Sequence, residues 1–561
     1  MSTKPGSLKP GPFNVGHSLQ EALALHQQGR LDEASSIYTR VLKAQPGNFD
    51  ALHLLGLLNH QRGKAGEAYR FITAALKVQP RSPDALSNLA LVLHALKRSD
   101  EALASIDKAL ALAPGHLDAL NNRGNVLLDL KQPAEAALAF DAVLAKEPRH
   151  VQARINRGNA RAELGEAEPA LADYDAALAL APGHPLALYN RGNALRALGR
   201  EQEALAAYDG ALSAAPNHVN AWNNRGMAQA ALNHHRDALA SYDRALALQP
   251  HNADVHFNAA LSLLTIGDYA RGLNEYEWRW KRAGMNARKD LRKPLWLGEV
   301  PLAGRTILLH AEQGLGDTVM FARYAPVLAR TGARVVLEVQ PELKGLLAGL
   351  EGVAAIVAHG EPLPPFDVHC PLASLPLACK TDLSTIPADI PYLRASEPHL
   401  AKWRPRMQAM PSPRVALAWS GRATHANDRN RSLSLPELEP LLSLEHTSLI
   451  SIQRELRRDD AELLARESRI KHLGDELADF SDTAAVLTLA DIVICVDTSI
   501  AHVAGALGRP AIVLLPLQPD WRWALDRDRS PWYPAVRLFR QTGPGGWPDV
   551  IARVATELKT S

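Results

Sequence analysis

Cysteine, aromatic side chains and surplus charge are all scarce in this chain. The three cysteines, Cys370, Cys379 and Cys495, have neither metal-site spacing nor an even count. That excludes a disulfide scaffold and a zinc ribbon, and it reads as reduced thiols in a reducing compartment. Lys+Arg total 62 against 60 Asp+Glu, so neither nucleic acid nor an anionic membrane is indicated as the main partner. No stretch approaches the ~20 apolar residues needed to span a bilayer. Met1 to Gly16 is rich in Pro, Gly and Lys and lacks an apolar leader core, so a cytoplasmic location is expected. At 561 residues the chain exceeds a single core and implies several domains.

Proline is present with a strict period. Pro46, Pro80, Pro114, Pro148, Pro182, Pro216 and Pro250 each stand 34 residues after the last. A column of small residues keeps the same register: Ala34, Ala68, Ala102, Ala136, Ala170, Ala204, Ala238 and then Gly272. So does a column of larger ones: Tyr38, Ile72, Ile106, Phe140, Tyr174, Tyr208, Tyr242 and Tyr276. A third reads Gly56, Ala90, Gly124, Gly158, Gly192, Gly226, Ala260. Small residues recur where helices touch, a branched or aromatic residue fills the next layer, and proline closes the second helix. This is the tetratricopeptide pattern. It predicts eight helix pairs over residues 13–284, with atypical capping pairs at the ends, after a disordered N-terminus at 1–12.

Asn88, Asn122, Asn156, Asn190, Asn224 and Asn258 fall at one position of six successive repeats, on the helix that lines the concave side. An amide both donates and accepts, so such a column can pair with the backbone of an extended peptide of any sequence. It can also tie neighbouring repeats together. The column resembles the concave asparagine ladder of the eukaryotic O-linked N-acetylglucosamine transferase, which implies a polypeptide partner. Gln20 and Leu54 break it in the first two repeats, so a peptide track is expected to begin near Asn88. Arg123, Arg157, Arg191 and Arg225 add a basic stripe that would favour acidic segments or form a solvated face.

The register fails in a connector at 285–303. From Gly304 onward strands alternate with helices, the pattern of parallel βαβ units. Strands are expected at Thr306–His310, Arg334–Val339, Ala354–Val357, Val415–Trp419, Ser448–Ile452, Asp491–Val496 and Ala511–Leu515. A Pro-rich stretch near Pro391–Pro413 divides them into two doubly wound Rossmann-like lobes, 304–398 and 412–561. Ligands are expected at the carboxyl ends of their strands. The predicted fold class is therefore an α-helical solenoid followed by an α/β domain of two lobes.

Two motifs sit at such strand ends. Gly314-Leu315-Gly316-Asp317 follows the first strand, and Gly314, Gly316 and the later Glu338 invite a dinucleotide reading. Val319 in place of the third glycine, and Asp317 beside a would-be pyrophosphate, oppose it. No GK[ST] follows, so a P-loop is excluded. Asp317 either caps the helix or offers a carboxylate that takes a proton from an acceptor hydroxyl. The second motif, Asp497-Thr498-Ser499-Ile500-Ala501-His502 with Gly508-Arg509-Pro510 downstream, carries a strand into a helix whose first-turn amides and dipole suit a diphosphate. Asp497 bonds a sugar hydroxyl or caps the helix, and His502 serves phosphate or packing.

Together the two motifs resemble the lipopolysaccharide heptosyltransferase family of GT-B glycosyltransferases, over roughly Gly304 to Thr560. The whole chain is similar to bacterial proteins that fuse tetratricopeptide repeats to such a domain. The resemblance implies metal-independent, inverting transfer from a nucleotide-sugar co-substrate, without a further cofactor. It implies Asp317 as base and Asp497, Thr498, Ser499 and His502 as donor-binding residues. The family's lysine at the start of the second lobe is missing. Arg431, or else Arg422, is expected to replace it, because a guanidinium grips phosphate in bidentate fashion. Gln453 and the segment Asp479–Thr483 are candidate base or ribose contacts. The stretch Pro519–Trp523 with Ser530–Pro534 is dense in aromatics for a chain with 5% of them, and it either walls the pocket or closes the second lobe as a buried segment. The expected activity is a glycosyltransferase acting on a protein held by the repeats. The competing readings are a lipid or polysaccharide glycosyltransferase docked through its repeats, and a non-catalytic scaffold.

Overall fold

The computed structural model describes residues 14–284, 291–424, 427–543 and 545–560. The expected disordered segment 1–12, the first repeat residue Phe13 and residues 285–290 of the connector lie outside the described residues.

The first half is a solenoid of antiparallel helix pairs, from Val15–Gln27 with Leu31–Ala44 to Ala253–Thr265 with Tyr269–Tyr276. First helices begin where a side chain can cap them. Asn48, Ser82, His116, His150, His184 and Asn252 each accept the backbone N–H three residues on, which satisfies one of the orphan donors at a helix start. The periodic proline stands just past the second helix, where a missing N–H costs no helical bond. The small and large columns prove to be one contact. A Cβ on Gly124 would sit 2.4 Å from the Phe140 ring, and one on Gly158 or Gly192 about as close to Tyr174 or Tyr208.

The chain divides into two compact units, 1–224 and 225–561. The division falls inside the repeat array, not at its end. The second unit therefore contains the last helix pairs together with both sheets. Arg279, in the 3-10 turn Glu277–Lys281 after the last pair, is buried and bonds Glu312 and Ser374 of the α/β region.

Ten strands follow among the described residues: β1 Thr306–His310, β2 Arg334–Val339, β3 Val353–Ala358, β4 Val368–Pro371, β5 Arg414–Ala418, β6 Ser448–Ser451, β7 Ile470–His472, β8 Ile492–Val496, β9 Ala511–Leu515 and β10 Val536–Arg540. They form a four-stranded parallel sheet in the order β3-β2-β1-β4 and a six-stranded parallel sheet in the order β10-β9-β8-β5-β6-β7. This is consistent with a GT-B-type α/β domain. The order in which strands are added reverses between β1 and β4 in the first sheet and between β5 and β8 in the second. Those are the switch points where open parallel sheets leave a crevice. The unpredicted strands β4, β7 and β10 all lie at sheet edges. There one side needs no neighbour, and a short or charged run such as Ile470–His472 or Val536–Arg540 suffices.

The Pro-rich divider contains a helix, Glu397–Gln408, with Pro405 inside it. Its Trp403 is buried and donates to Asp482 at 2.8 Å, and Lys402 clasps both oxygens of the same carboxylate. Asp482 is therefore a packing anchor, and Asp479 caps its own helix by accepting from Ser481 and Asp482. Both aspartates of the expected base- or ribose-contact segment thus hold structural bonds.

Candidate functional site

Past the end of β1 the chain turns through Glu312 and Gln313 into the helix Leu315–Ala322, with Gly314 at its N-cap. Gly314 N–H donates to Asp317 Oδ2 at 3.0 Å, so the capping role is real. It uses one carboxylate oxygen. The other faces the Arg522 guanidinium in an ion pair. Burial pushes the Asp317 carboxyl up from its ordinary range, and the Arg522 cation opposes that rise. Val319 is fully buried in the core, so the third glycine of a dinucleotide motif has no counterpart.

Past the end of β8 the second motif meets the first. The helix Ser499–Ala506 packs against Leu315–Ala322, and a Cβ on Gly316 would lie 2.6 Å from the His502 ring. The pairing of Gly316 with His502 explains that glycine by close approach rather than by turn geometry. His502 Nδ1 bonds Tyr533 OH at 3.1 Å, and its ring stacks on Trp523 with centroids 5.3 Å apart. Burial, reinforced by Arg522, pushes its pKa down to about 3, so it is a neutral hydrogen-bonding group at physiological pH. Asp497 is pushed up to about 6, chiefly by burial and then by Asp520, with the Trp523 indole, Arg431 and Arg522 pulling the other way.

Thr498 occupies the N-cap of Ser499–Ala506 in extended conformation, yet its hydroxyl makes no capping bond. Among the described residues, the buried Thr498 Oγ1, Arg431 Nε and Ser420 Oγ have no hydrogen-bond partner. Arg431 reaches across the β5–β8 switch point and donates to the Asp497 carbonyl at 2.9 Å. A Cβ on Gly421 would come within 2.7 Å of the same guanidinium. A buried polar atom without a partner costs about 1–3 kcal/mol, and several around one helix N-terminus describe a site that a polar anion would complete.

Two expected donor contacts have partners within the protein. Gln453 is a bracket: its Oε1 accepts from Trp419 and Ser420, and its Nε2 donates to the carbonyls of Ser420 and Glu455. A fully used amide positions the loop after β5 and has nothing left for a nucleotide. Arg422 is 64% exposed and faces an equally exposed Glu455.

The asparagine column also departs from expectation. Asn156, Asn190 and Asn224 each donate to an asparagine of the preceding repeat, Asn125, Asn159 and Asn193, at 2.8 Å. Asn122 donates to Ser87, and Asn88 meets His53. Through these donors the column ties repeats together. The arginine stripe is likewise matched: Arg157 pairs with Asp141 and Asp173, and Arg191 with Asp175. A preference for acidic segments has no support there. Asn258 and Arg225 also make contacts within their surroundings.

Sequence reasoning held Asp520, Arg522 and Tyr533 only within a stretch that walls the pocket or closes the lobe, and it missed Arg323. The aromatic stretch does close the second lobe as a buried segment, with Trp521, Trp523, Trp532 and Tyr533 almost fully covered. Its charged members pass through that cover to the site. Arg323, buried in the first lobe, donates to the Trp532 carbonyl at 2.8 Å and lies over the Tyr533 ring. The signal available was an arginine between two tryptophans, a position that only burial or a ligand rewards.

Comparisons with known proteins agree with this division. Tetratricopeptide repeat models match residues 121–185, 169–219 and 219–252. The model described as anaphase-promoting complex, cyclosome, subunit 3 matches 27–109. The model described as glycosyltransferase family 9 (heptosyltransferase) matches 459–540, a span that includes Asp497 to His502 and Arg522 but not Asp317. Protein FlbA of Caulobacter vibrioides is 26% identical over 325 residues, covering 54% of this chain and 54% of that protein. The chain thus spans about half the length of this curated relative. Among solved structures, a tetratricopeptide repeat protein from Parabacteroides merdae is 19% identical, with a TM-score of 0.36 over 44% of this chain and 98% of its own. The APC/C hetero-tetramer Cut9-Hcn1 gives 18% identity and 0.39 over 47% and 52%. Among the described residues, no helix is long and apolar enough to cross a membrane. The chain carries tetratricopeptide repeats and, near its C-terminus, a glycosyltransferase family 9 (heptosyltransferase) domain.

Proposed function

We propose that this protein moves a sugar from a nucleotide-sugar to an acceptor hydroxyl, in an inverting, metal-independent reaction. The observation that carries the reading is the set of partnerless buried polar atoms, Thr498 Oγ1 and Arg431 Nε, at the N-terminus of Ser499–Ala506. A nucleoside diphosphate supplies acceptors to these donors, to the free helix amides and to the dipole. As the glycosidic bond to the diphosphate breaks, the same groups stabilise the negative charge that grows on the leaving group. Asp317, across the packed helices, removes the acceptor hydroxyl proton. Its raised pKa makes it a stronger base than a surface aspartate, and the Arg522 cation keeps it ionised. One carboxylate acting on the acceptor fits a single displacement with inversion.

The acceptor is a hydroxyl of a polypeptide that the repeats bring to the cleft. Support for this is narrower than the asparagine column alone implies. The amide N–H groups are spent between repeats, and among the described residues the Oδ1 atoms of Asn122 and Asn190 accept no hydrogen bond, leaving them for a partner's backbone N–H. The inter-repeat bonds equally favour a second reading, in which the repeats dock the enzyme and the acceptor is a lipid or glycan.

The test is a donor screen with UDP-, GDP-, ADP- and dTDP-sugars, following binding and slow donor hydrolysis in wild type and in Asp317→Asn. The expected result is one bound and hydrolysed donor, with turnover reduced at least ~100-fold in the variant and binding retained. Near-normal turnover in Asp317→Asn would remove the base assignment, and binding of no donor would leave a repeat scaffold.

A further inference from the structure

Two buried arginines hold the loop that carries Asp317, and neither belongs to the first lobe. Arg279, 1% exposed, comes from the turn after the last helical repeat. It donates to Glu312 Oε1 at 3.2 Å, to Glu277 at 2.6 Å and to Ser374 at 2.7 Å. Arg522, 8% exposed, comes from the closing segment of the second lobe and pairs with Asp317 and, at 2.7 Å, with Asp520. Between the two carboxylates stands Gln313. Its Nε2 donates to Tyr276 OH of the last repeat at 2.8 Å, and its carbonyl accepts from Gln340 at 2.9 Å. The whole loop is thus pinned from two sides by elements far away in sequence.

We propose that Arg279 with Tyr276, and Arg522 with Asp520, are positioning residues for the transfer, so that the end of the repeat array is part of the catalytic apparatus and not only a docking platform. This rests on Asp317 being the base. A reacting carboxylate misplaced by an ångström loses much of its rate, and a buried carboxylate without its cation stays protonated. The charged and titratable groups facing Asp317 are Arg522 and Asp520 from the second lobe and Tyr276 from the last repeat. Glu312, backed by Arg279, lies on its own loop, and the neutral His502 stands across Gly316. Of these, Arg522 makes the direct ion pair. Glu312 is itself pushed up to about 7 by burial, against the pull of Arg279.

The experiment uses the full chain and needs no substrate in its first arm. An infrared difference titration between wild type and Asp317→Asn follows the Asp317 carboxyl band with pH. In Arg522→Gln the midpoint rises by about one pH unit or more; in Arg522→Lys, which keeps the charge, it stays near wild type. A midpoint in Arg522→Gln that coincides with wild type overturns the role of Arg522. In the second arm Tyr276→Phe removes only the hydroxyl that Gln313 grips. With the donor that wild type hydrolyses, kcat falls roughly five- to tenfold, as for one lost hydrogen bond, while the donor KM stays within twofold. An unchanged kcat overturns the role of the last repeat. If Asp317→Asn itself hydrolyses donor normally, the base reading fails, and the infrared titration still judges Arg522.

Discussion

At the scale of single residues, the buried His502 and the half-buried Asp497 are titrating groups whose shifts run in opposite senses. The His502 pKa is pushed down to about 3, against an ordinary 6.5. Between those values the unfolded chain binds a proton that the folded chain refuses, so stability is lost as pH falls from 6.5 toward 3, by up to ~1.4 kcal/mol per pH unit. Asp497, pushed up to about 6, takes up its proton in the folded state first, so its contribution declines as pH rises from 3.8 to 6. Comparing wild type with His502→Gln isolates the first effect, because Asp497 is common to both. The variant is expected to keep a larger share of its pH 7 stability at pH 4.5, read from thermal midpoints across that range. Equal acid sensitivity would mean that His502 titrates in the open. Little of this was legible in the sequence, where His502 is one of 21 histidines. Its neutrality comes from burial, beside Trp523 and Tyr533, and from the Arg522 cation, all about twenty or more positions later in the chain.

At the scale of elements, the site depends on two glycines that let secondary structure come close. Gly316 lets the helix Leu315–Ala322 meet His502, whose ring is held by a hydrogen bond on one side and a stacked indole on the other. Gly316→Ala has no soft neighbour to displace. It is expected to cost about 1–3 kcal/mol, seen as a lowered melting point with loss of turnover. Gly421 instead faces the movable end of Arg431. Gly421→Ala should leave the melting point nearly unchanged and weaken donor binding roughly tenfold, the worth of a displaced charge-assisted hydrogen bond. Isothermal titration with the donor that wild type binds decides between displacement and indifference. The interior strands β1, β2 and β9 were readable because each is built on a run of at least three buried apolar residues. Edge strands such as Ile470–His472 carry too few apolar residues to announce themselves.

At the scale of the molecule, periodicity and packing divide the chain at different places. The 34-residue period runs to the last helix pair, while the compact units divide at Asn224 and Arg225. Tyr269 and Tyr276 of the last pair pack on Trp521 and Trp532, Asn233 donates to the Leu517 carbonyl, and Gln518 donates to Ala230. A fragment of residues 304–561 would uncover these aromatic faces and leave Glu312 without Arg279. It is expected to aggregate, whereas residues 217–561 should remain soluble, with the helix and strand content of their part of the chain. Circular dichroism and sedimentation of the two fragments check this, and a well-folded 304–561 fragment would refute it.

Local chemistry determined what a local rule can express. Proline spacing and the paired small and large columns specify a helical repeat, because each column is a contact between neighbouring helices. A strand running into Gly314–Asp317 or Asp497–His502 specifies a loop and helix start at the carboxyl end of a sheet. Only the tertiary structure decided which polar groups remain unsatisfied. It spent the asparagine amides between repeats and Gln453 on the loop after β5, and it left Thr498 and Arg431 with buried, partnerless atoms. It also brought Arg279 and Arg522 to one loop from opposite sides. Desolvation and ion pairing depend on what surrounds a group in space, and sequence distance carries no information about that.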